Sequence, residues 1–364
     1  MLIFIALCVS AGIYVLFQLW LAVGWWKPDT SPAADDAAGI SVIVAAHNET
    51  ENLRRFLPSL LKQSHPNYEV WVVLDRCTDG SRQVLEALKP TYPHLHWKEL
   101  HATPPGWAPK KWAIHSGVAA ARHELLAFTD ADCQAESNWL KQVAAHFGPH
   151  TEVVLGLGLY FRQPGLLNLF IRFETFYTAF QYVGMARMGL PYMGVGRNLA
   201  YRRSFYVRHG GLQAFRGRLS GDDDLLVNAY AKARTTRVMR NPASFTFSLP
   251  KQSWKAWLSQ KWRHLSASPA YSPQSKWLLA TFHLAHACFY TGILVSLGLG
   301  LTMFPLFSLY LLRIMISWGI FISINQSIRE KNLLYAYPFL DLLYFIYNLF
   351  VVPVGLIKQP EWKK

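Results

Sequence analysis

The chain places carboxylates in three short groups, each at the end of an apolar run or the start of a helix. Leu125-Leu126-Ala127-Phe128-Thr129 runs into Asp130-Ala131-Asp132. Two hard oxygen donors one residue apart, where the chain leaves the pleat of a strand, can turn toward one point. They suit Mg2+ or Mn2+ held jointly by protein and a diphosphate. Asp75 and Asp79 follow a second apolar run and could accept hydrogen bonds from a nucleobase or ribose. Asp222, Asp223 and Asp224 form the third group. A base that deprotonates an attacking hydroxyl is needed a few ångströms from such a metal site, and a carboxylate can serve. Each group alone is an ordinary turn or cap, since Asp is favoured there. Three in order, on a chain whose acidic residues total 22, are harder to dismiss. Lys110, beside Lys111, could neutralise a diphosphate, although loop lysines are usually solvated. Gln260, Arg263 and His264 have i, i+3, i+4 spacing, one face of a helix. Arg263 there could hold a leaving diphosphate by charge-assisted bonds or equally face lipid headgroups. His47 and Asn48 fit either a helix cap or a contact to a base.

Alternating strands and helices must position these groups. Ile40–Ala46 reads as a buried strand, followed by an amphipathic helix with Leu53, Phe56, Leu57, Leu60 and Leu61 on one side. Glu69–Leu74 is a second strand, Ser81–Leu88 a helix and Leu95–Leu100 a third strand. Residues 103–112 form a breaker-rich loop, and Ala113–Ala121 a helix of small residues. Val153–Tyr160 reads as one further strand, and Gly194–Tyr201 as a loop entering a short strand. Asp222–Asp224 open a helix, where its dipole favours anions. The alternation predicts an α/β domain with a mostly parallel sheet covered by helices on both faces. In such sheets ligands sit at the carboxyl ends of strands.

The chain has 364 residues, 52% apolar and 16% charged, with a formal net charge of +14. The apolar excess lies at the two ends. Residues 1–26 carry no charged side chain, and crossing a bilayer takes about 20 apolar residues. Trp20, Trp25 and Trp26 suit the interfacial belt, and no small-residue cleavage site precedes the Trp pair. An uncleaved anchor is expected, followed by a linker at 27–39 and the α/β domain at 40–250. The aromatic stretch 166–190, interrupted by Arg172, Glu174, Gln181 and Arg187, reads as a helix on the membrane surface or the domain. Residues 251–276 form an amphipathic interfacial segment. Residues 277–357 form a membrane region of two or three spans or a re-entrant helix, and 358–364 a polar tail. Asp341, costly in lipid, must face protein or water. Positive-inside counting puts Arg329 and Lys331 inside, but a full last span would put Lys358, Lys363 and Lys364 outside. The basic charge favours membrane lipids or diphosphates, and no basic-aromatic module points to nucleic acid. The four cysteines, Cys8, Cys77, Cys133 and Cys288, show no paired spacing and give neither a disulfide framework nor a zinc pattern.

Taken in chain order, the motifs resemble those of a membrane-bound family 2 glycosyltransferase with the GT-A fold. The matching stretches are Val44–Glu49, Val72–Gly80 and Gly106–Ala113, then Thr129–Asp132, Gly221–Asp224 and Gln260–His264. One N-terminal anchor with a C-terminal membrane region is similar to the ceramide-glucosyltransferase-like and carotenoid-glycosylating branches. The resemblance implies that His47, Glu49 and Asp75 contact the uridine of a nucleotide-sugar. It places Lys110 near the donor and Asp130 near donor ribose, sugar or metal. Asp132 would bind Mg2+ or Mn2+, and Asp222 would be the base, with Asp223 and Asp224 as lesser claimants. Gln260 and Arg263, with His264, would close over the diphosphate and the acceptor end. Leu74 stands where many members carry a second Asp. His264 stands where processive polymer synthases carry Trp, and Trp262 does not restore that motif. Single inverting transfer from a UDP-sugar to a lipid acceptor is therefore expected over processive synthesis or an idle nucleotide-sugar-binding scaffold. The expected location is a bacterial inner membrane, with the catalytic domain cytoplasmic.

Overall fold

The computed structural model describes residues 1–28, 38–328 and 330–357. It divides into two units. One comprises 28–161 and 189–250, and the other 1–27, 162–188 and 251–361, apart from the undescribed positions. Most of the linker expected at 27–39, together with Arg329, Lys358, Lys363 and Lys364, lies outside the described residues.

The first unit is built on parallel strands. These are β1 (Ile40–Ala46), β2 (Tyr68–Asp75), β3 (Leu95–Leu100) and β4 (Leu125–Asp130), with β5 (Cys133–Ala135) just after. They are followed by β6 (Val153–Leu155), β7 (Gly158–Tyr160), β8 (Leu199–Arg202), β9 (Thr236–Val238) and β10 (Thr246–Ser248). Among the described residues the large sheet has the order β3-β2-β1-β4-β8-β6-β9, and β5-β10-β7 form a second, smaller sheet. β3, β2, β1 and β4 run parallel, whereas β8 is antiparallel to both β4 and β6. Val42, Val44, Val70, Val72 and Ala127 are fully buried, which explains apolar runs in place of alternation. The register pairs Ala45 with Asp130 and Ala46 with Leu74, so the carboxyl ends of β1, β2 and β4 finish together. Strand order reverses between β1 and β4, the switch point at which open α/β sheets open a crevice.

Val153–Tyr160 is not one strand. β6 and β7 belong to different sheets, separated by Gly156 and Leu157. The buried Asn198 amide fills the break: it donates to Leu157 O at 2.9 Å and Ser244 O at 2.7 Å, and accepts from Trp139 Nε1 at 2.9 Å. A Cβ at Gly156 would lie 2.3 Å from that amide, so only glycine leaves room.

Helices of the second unit include α1 (Leu2–Trp26) and α6 (Leu166–Arg187), numbered after α2 (Thr50–Leu61), α3 (Ser81–Leu88), α4 (Pro109–Ala120) and α5 (Trp139–His146) of the first. α7 (Arg203–Arg208) and α8 (Asp224–Tyr230) return to the first unit. The second then continues with α9 (Trp254–Leu265), α10 (Pro273–Gly298), α11 (Met303–Asn325) and α12 (Lys331–Ile357). Among the described residues α1, α10, α11 and α12 are long and apolar enough to cross a membrane. α6 departs from the surface helix expected at 166–190. It is buried nearly all round, and its charges are matched internally: Arg172 pairs with Glu330, and Glu174 with Lys261 of α9. Asp341 faces protein, as its cost in lipid requires. It is fully buried and pairs with Arg313 of α11.

Candidate active site

The site is assembled at the carboxyl ends of β1, β2 and β4. Thr129 and Asp130 end β4, and Asp132 lies on the turn before β5. Asp130, Asp132 and Cys133 bring ligand atoms within 4.8 Å of one another. Both carboxylates are part-exposed, whereas Cys133 is buried. Its Sγ lies 3.0 Å from Ser248 Oγ in a shared hydrogen bond. Burial, and then the neighbouring Asp132, pushes the thiol well above its ordinary range, so it stays protonated. The usable donors are hard carboxylate oxygens, which fit Mg2+ or Mn2+.

Lys110 is not in a loop, as the breakers around it predicted. Pro109, with its fixed φ and no N–H to satisfy, starts α4, so both lysines fall in the first turn. Cations at a helix N-terminus oppose the helix dipole, and acids offset that here. Lys110 Nζ donates to Asp130 Oδ1 at 2.9 Å and lies 3.0 Å from Asp222 Oδ2. Burial works against the ammonium, but Asp130 and Asp222 outweigh it and hold its pKa well above the usual lysine range. Lys111 points elsewhere and is almost wholly buried.

The acidic triplet separates into three roles in the fold. Asp223 caps α8: its Oδ1 accepts from Asp224 N at 2.8 Å, and its Oδ2 accepts from Gly196 N at 2.5 Å. Burial and the neighbouring Asp222 push its pKa upward. Asp224 is buried inside the first turn of α8. Asp222 precedes the helix. Burial would raise its pKa, but Lys110 outweighs that and lowers it. Lys110, Asp130, Asp222 and Asp223 line one cavity with Gly196 and Tyr201, with room of about 20 Å3, roughly one water. The expectation that the triplet opens a helix thus holds for Asp223 and Asp224, while Asp222 is left facing the cavity.

The first acidic group forms a network beside β2. His47 Nδ1 lies 2.6 Å from Asp75 O. The Asp75 carboxylate is held in a fork by its neighbour Arg76, at 2.9 and 3.0 Å. Asn48, at φ +55°, accepts from Thr78 N at 2.8 Å. Glu49 N donates to Ser81 Oγ at 3.0 Å, and Asn52 Nδ2 donates to the Glu49 carboxylate at 2.5 Å. Asp79 accepts from Thr50 N and Ser81 N, each at 3.0 Å. Burial would raise its carboxyl, but hydrogen bonding from Ser81 and Thr50, by side chain first and then by backbone, outweighs it and brings the pKa down to about 2. Gln260, Arg263 and His264 lie on α9, in the second unit. The parts played by Gly196, whose N–H holds Asp223, and by the inward Lys111 were not legible in the sequence, because their partners lie 27 and more than 100 residues away.

A parallel sheet with this switch point, and an acidic site at its carboxyl edge, defines a GT-A-like fold. Residues 41–210 match the family described as Glycosyl transferase family 2. That stretch, a little under half of the chain, is thus similar to family 2 glycosyltransferase domains. Glycosyltransferase AglE of Haloferax volcanii is 29% identical over 28% of this chain and 33% of its own length. Beta-monoglucosyldiacylglycerol synthase of Nostoc sp. is 31% identical over 30% of this chain and 23% of its own. The chain thus spans a third or less of the length of these two curated relatives. Mannosyltransferase PcManGT from Pyrobaculum calidifontis, solved in complex with GDP-Man and Mn2+, shares the fold. Its TM-score is 0.60 at 21% identity, covering 96% of this chain and 98% of that one.

Proposed function

We propose that the chain transfers a single sugar from a nucleotide-sugar, a UDP-sugar first, to a lipid acceptor at a membrane. The observation that carries this reading is the meeting of Lys110, Asp130 and Asp222 at one cavity, next to Asp132. Asp132 with Asp130 would hold Mg2+ or Mn2+, which neutralises diphosphate charge when bound. Lys110 adds a second positive charge to the same place and moves from Asp222 to the donor phosphates. Asp222, once relieved of Lys110, takes the proton of the acceptor hydroxyl as that oxygen attacks the anomeric carbon. Attack from the face opposite the departing diphosphate inverts the anomeric centre. Asp223, with both oxygens engaged by backbone N–H groups, is the weaker candidate for the base, and the buried Asp224 weaker still. His47, Glu49 and Asp75 border the nucleoside end. For Gln260, Arg263 and His264, on α9 of the second unit, a role at the diphosphate and acceptor rests on the sequence motif alone.

The lipid acceptor is supported by the name of the diacylglycerol synthase relative and, among the described residues, by four helices apolar enough to cross a membrane. The GDP-Man in the fold neighbour keeps guanosine donors in the comparison. The test is radiolabelled transfer by the purified full-length protein. It uses UDP- and GDP-sugars, Mn2+ and a mixed lipid extract, with Asp132→Ala and Asp222→Asn alongside. Label in one lipid-soluble product, lost in both variants, supports the reading. Long lipid-free polymer points instead to processive synthesis, and donor binding without transfer points to a scaffold.

A further inference from the structure

Lys111 shares a helical turn with Lys110 yet has a different environment. Its side chain is 1% exposed. Nζ donates to Ser220 O at 2.7 Å and to Phe215 O at 3.0 Å. Those carbonyls flank the stretch 216–219, which leads directly into Asp222. The same stretch is tied at its start by Ala108 N, which donates to Arg216 O at 2.6 Å. Past Asp222, the Asp223 cap and its bond from Gly196 N fix the chain again. Between these anchors lies Gly221 at φ +86°, where a Cβ would come 2.4 Å from the Leu225 side chain. The backbone at Asp222 therefore has a fixed point two residues before it and another immediately after. Burial pushes the Lys111 ammonium down to about 8 against the pull of Asp222. A lysine with no task here would lower that cost by extending its ammonium to water.

We propose that Lys111 is a positioning residue, whose buried ammonium clamps the 215–220 loop and so aims the Asp222 carboxylate into the cavity. The proposal rests on the reading of Asp222 as the base. The neighbouring lysines then divide the work: Lys110 meets charge in the cavity, and Lys111 sets where the base stands. Displacing a catalytic group by about 1 Å costs roughly 10²-fold in rate. The clamp is released without touching the donor subsite, so turnover and donor binding separate.

The test compares Lys111→Met, Lys111→Gln and Lys111→Arg with Asp222→Asn in the full-length protein. Donor binding with Mn2+ is followed by calorimetry, and transfer by kcat and KM. Lys111→Met is expected to bind donor as wild type does while kcat falls about 10²-fold, with partial recovery in Lys111→Arg. Wild-type kcat in folded Lys111→Met, or equal losses of donor binding and kcat, overturns the proposal. Should Lys111→Met fail to fold, Lys111→Gln decides. A fall in kcat with donor binding intact supports the clamp, and unchanged kcat overturns it. If Asp222→Asn keeps full turnover, the base reading falls and takes the clamp with it. If Asp222→Asn is inactive while Lys111→Met is normal, the clamp alone falls.

Discussion

Two of the places where the described residues set a cation against carboxylates are built to opposite ends. In the α/β unit, one ammonium, Lys110, faces Asp130 and Asp222 within 3.0 Å, with both lysine and Asp130 part-exposed beside a cavity. Negative charge is in excess and the site is open. Among the apolar helices, Arg313 pairs one to one with Asp341, and their side chains are 1% and 0% exposed. Tyr290 donates to Asp341 at 2.6 Å, His286 lies 3.3 Å from it, and the guanidinium sits 4.4 Å from the centre of the Tyr14 ring. This second cluster is neutral, closed and filled with aromatic rings. An ionisable pair among helices apolar enough to cross a membrane is by default a candidate for function. Its closure argues that this one locks α11 to α12 instead. Imbalance and access suit a site that takes up charge from outside, whereas balance and closure suit a joint.

That contrast can be broken by substitution. At the open site, Asp222→Asn is expected to lower kcat by about 10²–10⁴-fold, the range for loss of a general base, with little change in thermal unfolding. At the closed site, Arg313→Leu leaves a buried carboxylate unpaired and is expected to cost about 3–5 kcal/mol, read as a lower Tm in detergent. Arg313→Leu with Asp341→Leu should recover most of that loss. Reversed outcomes, with turnover lost from a stable Arg313→Leu or stability lost from Asp222→Asn, would abolish the distinction.

Smaller effects sharpen it. Mn2+ is expected to raise the Tm of wild type and not that of Asp132→Ala, because only a site with excess negative charge gains from a cation. Differential scanning with and without Mn2+ checks this, and Arg313→Leu should keep the response. The smallest effect concerns Asp79. Its folded pKa is depressed to about 2 from an ordinary 3.8. The unfolded chain therefore binds the proton first, and the stabilisation is present above about pH 4 and lost as pH falls toward 2. The Tm gap between wild type and Asp79→Asn should narrow across that window.

Much of the α/β unit was legible along the chain. β1, α3 and β3 fall where the sequence put them, and β1 most plainly, because a central parallel strand buried on both faces needs an unbroken apolar run. The end of β4 at Asp130, with Asp132 on the turn after it, was legible because the apolar run stops there. Two misreadings share another cause. The stretch 153–160 splits because Asn198, far along the chain, fills the gap at Gly156. α6 read as a helix on the membrane surface or the domain because the partners of its charges, Glu330 and Lys261, lie 158 and 87 residues away.

The sequence by itself determined which side chains are available: the Asp-x-Asp, the acidic triplet, the paired lysines and apolar stretches at the two ends of the chain. Only the tertiary structure decided among them. It turned Lys110 toward Asp130 and Asp222, and Lys111 toward the carbonyls of the 215–220 loop. It spent Asp223 on a helix cap and left Asp222 at the cavity. It gave Asp341 its partner, which no local pattern announced. The physical reason is range. Periodicity and turn chemistry act over a few residues, whereas charge pairing and burial act over a few ångströms, between residues that only folding brings together.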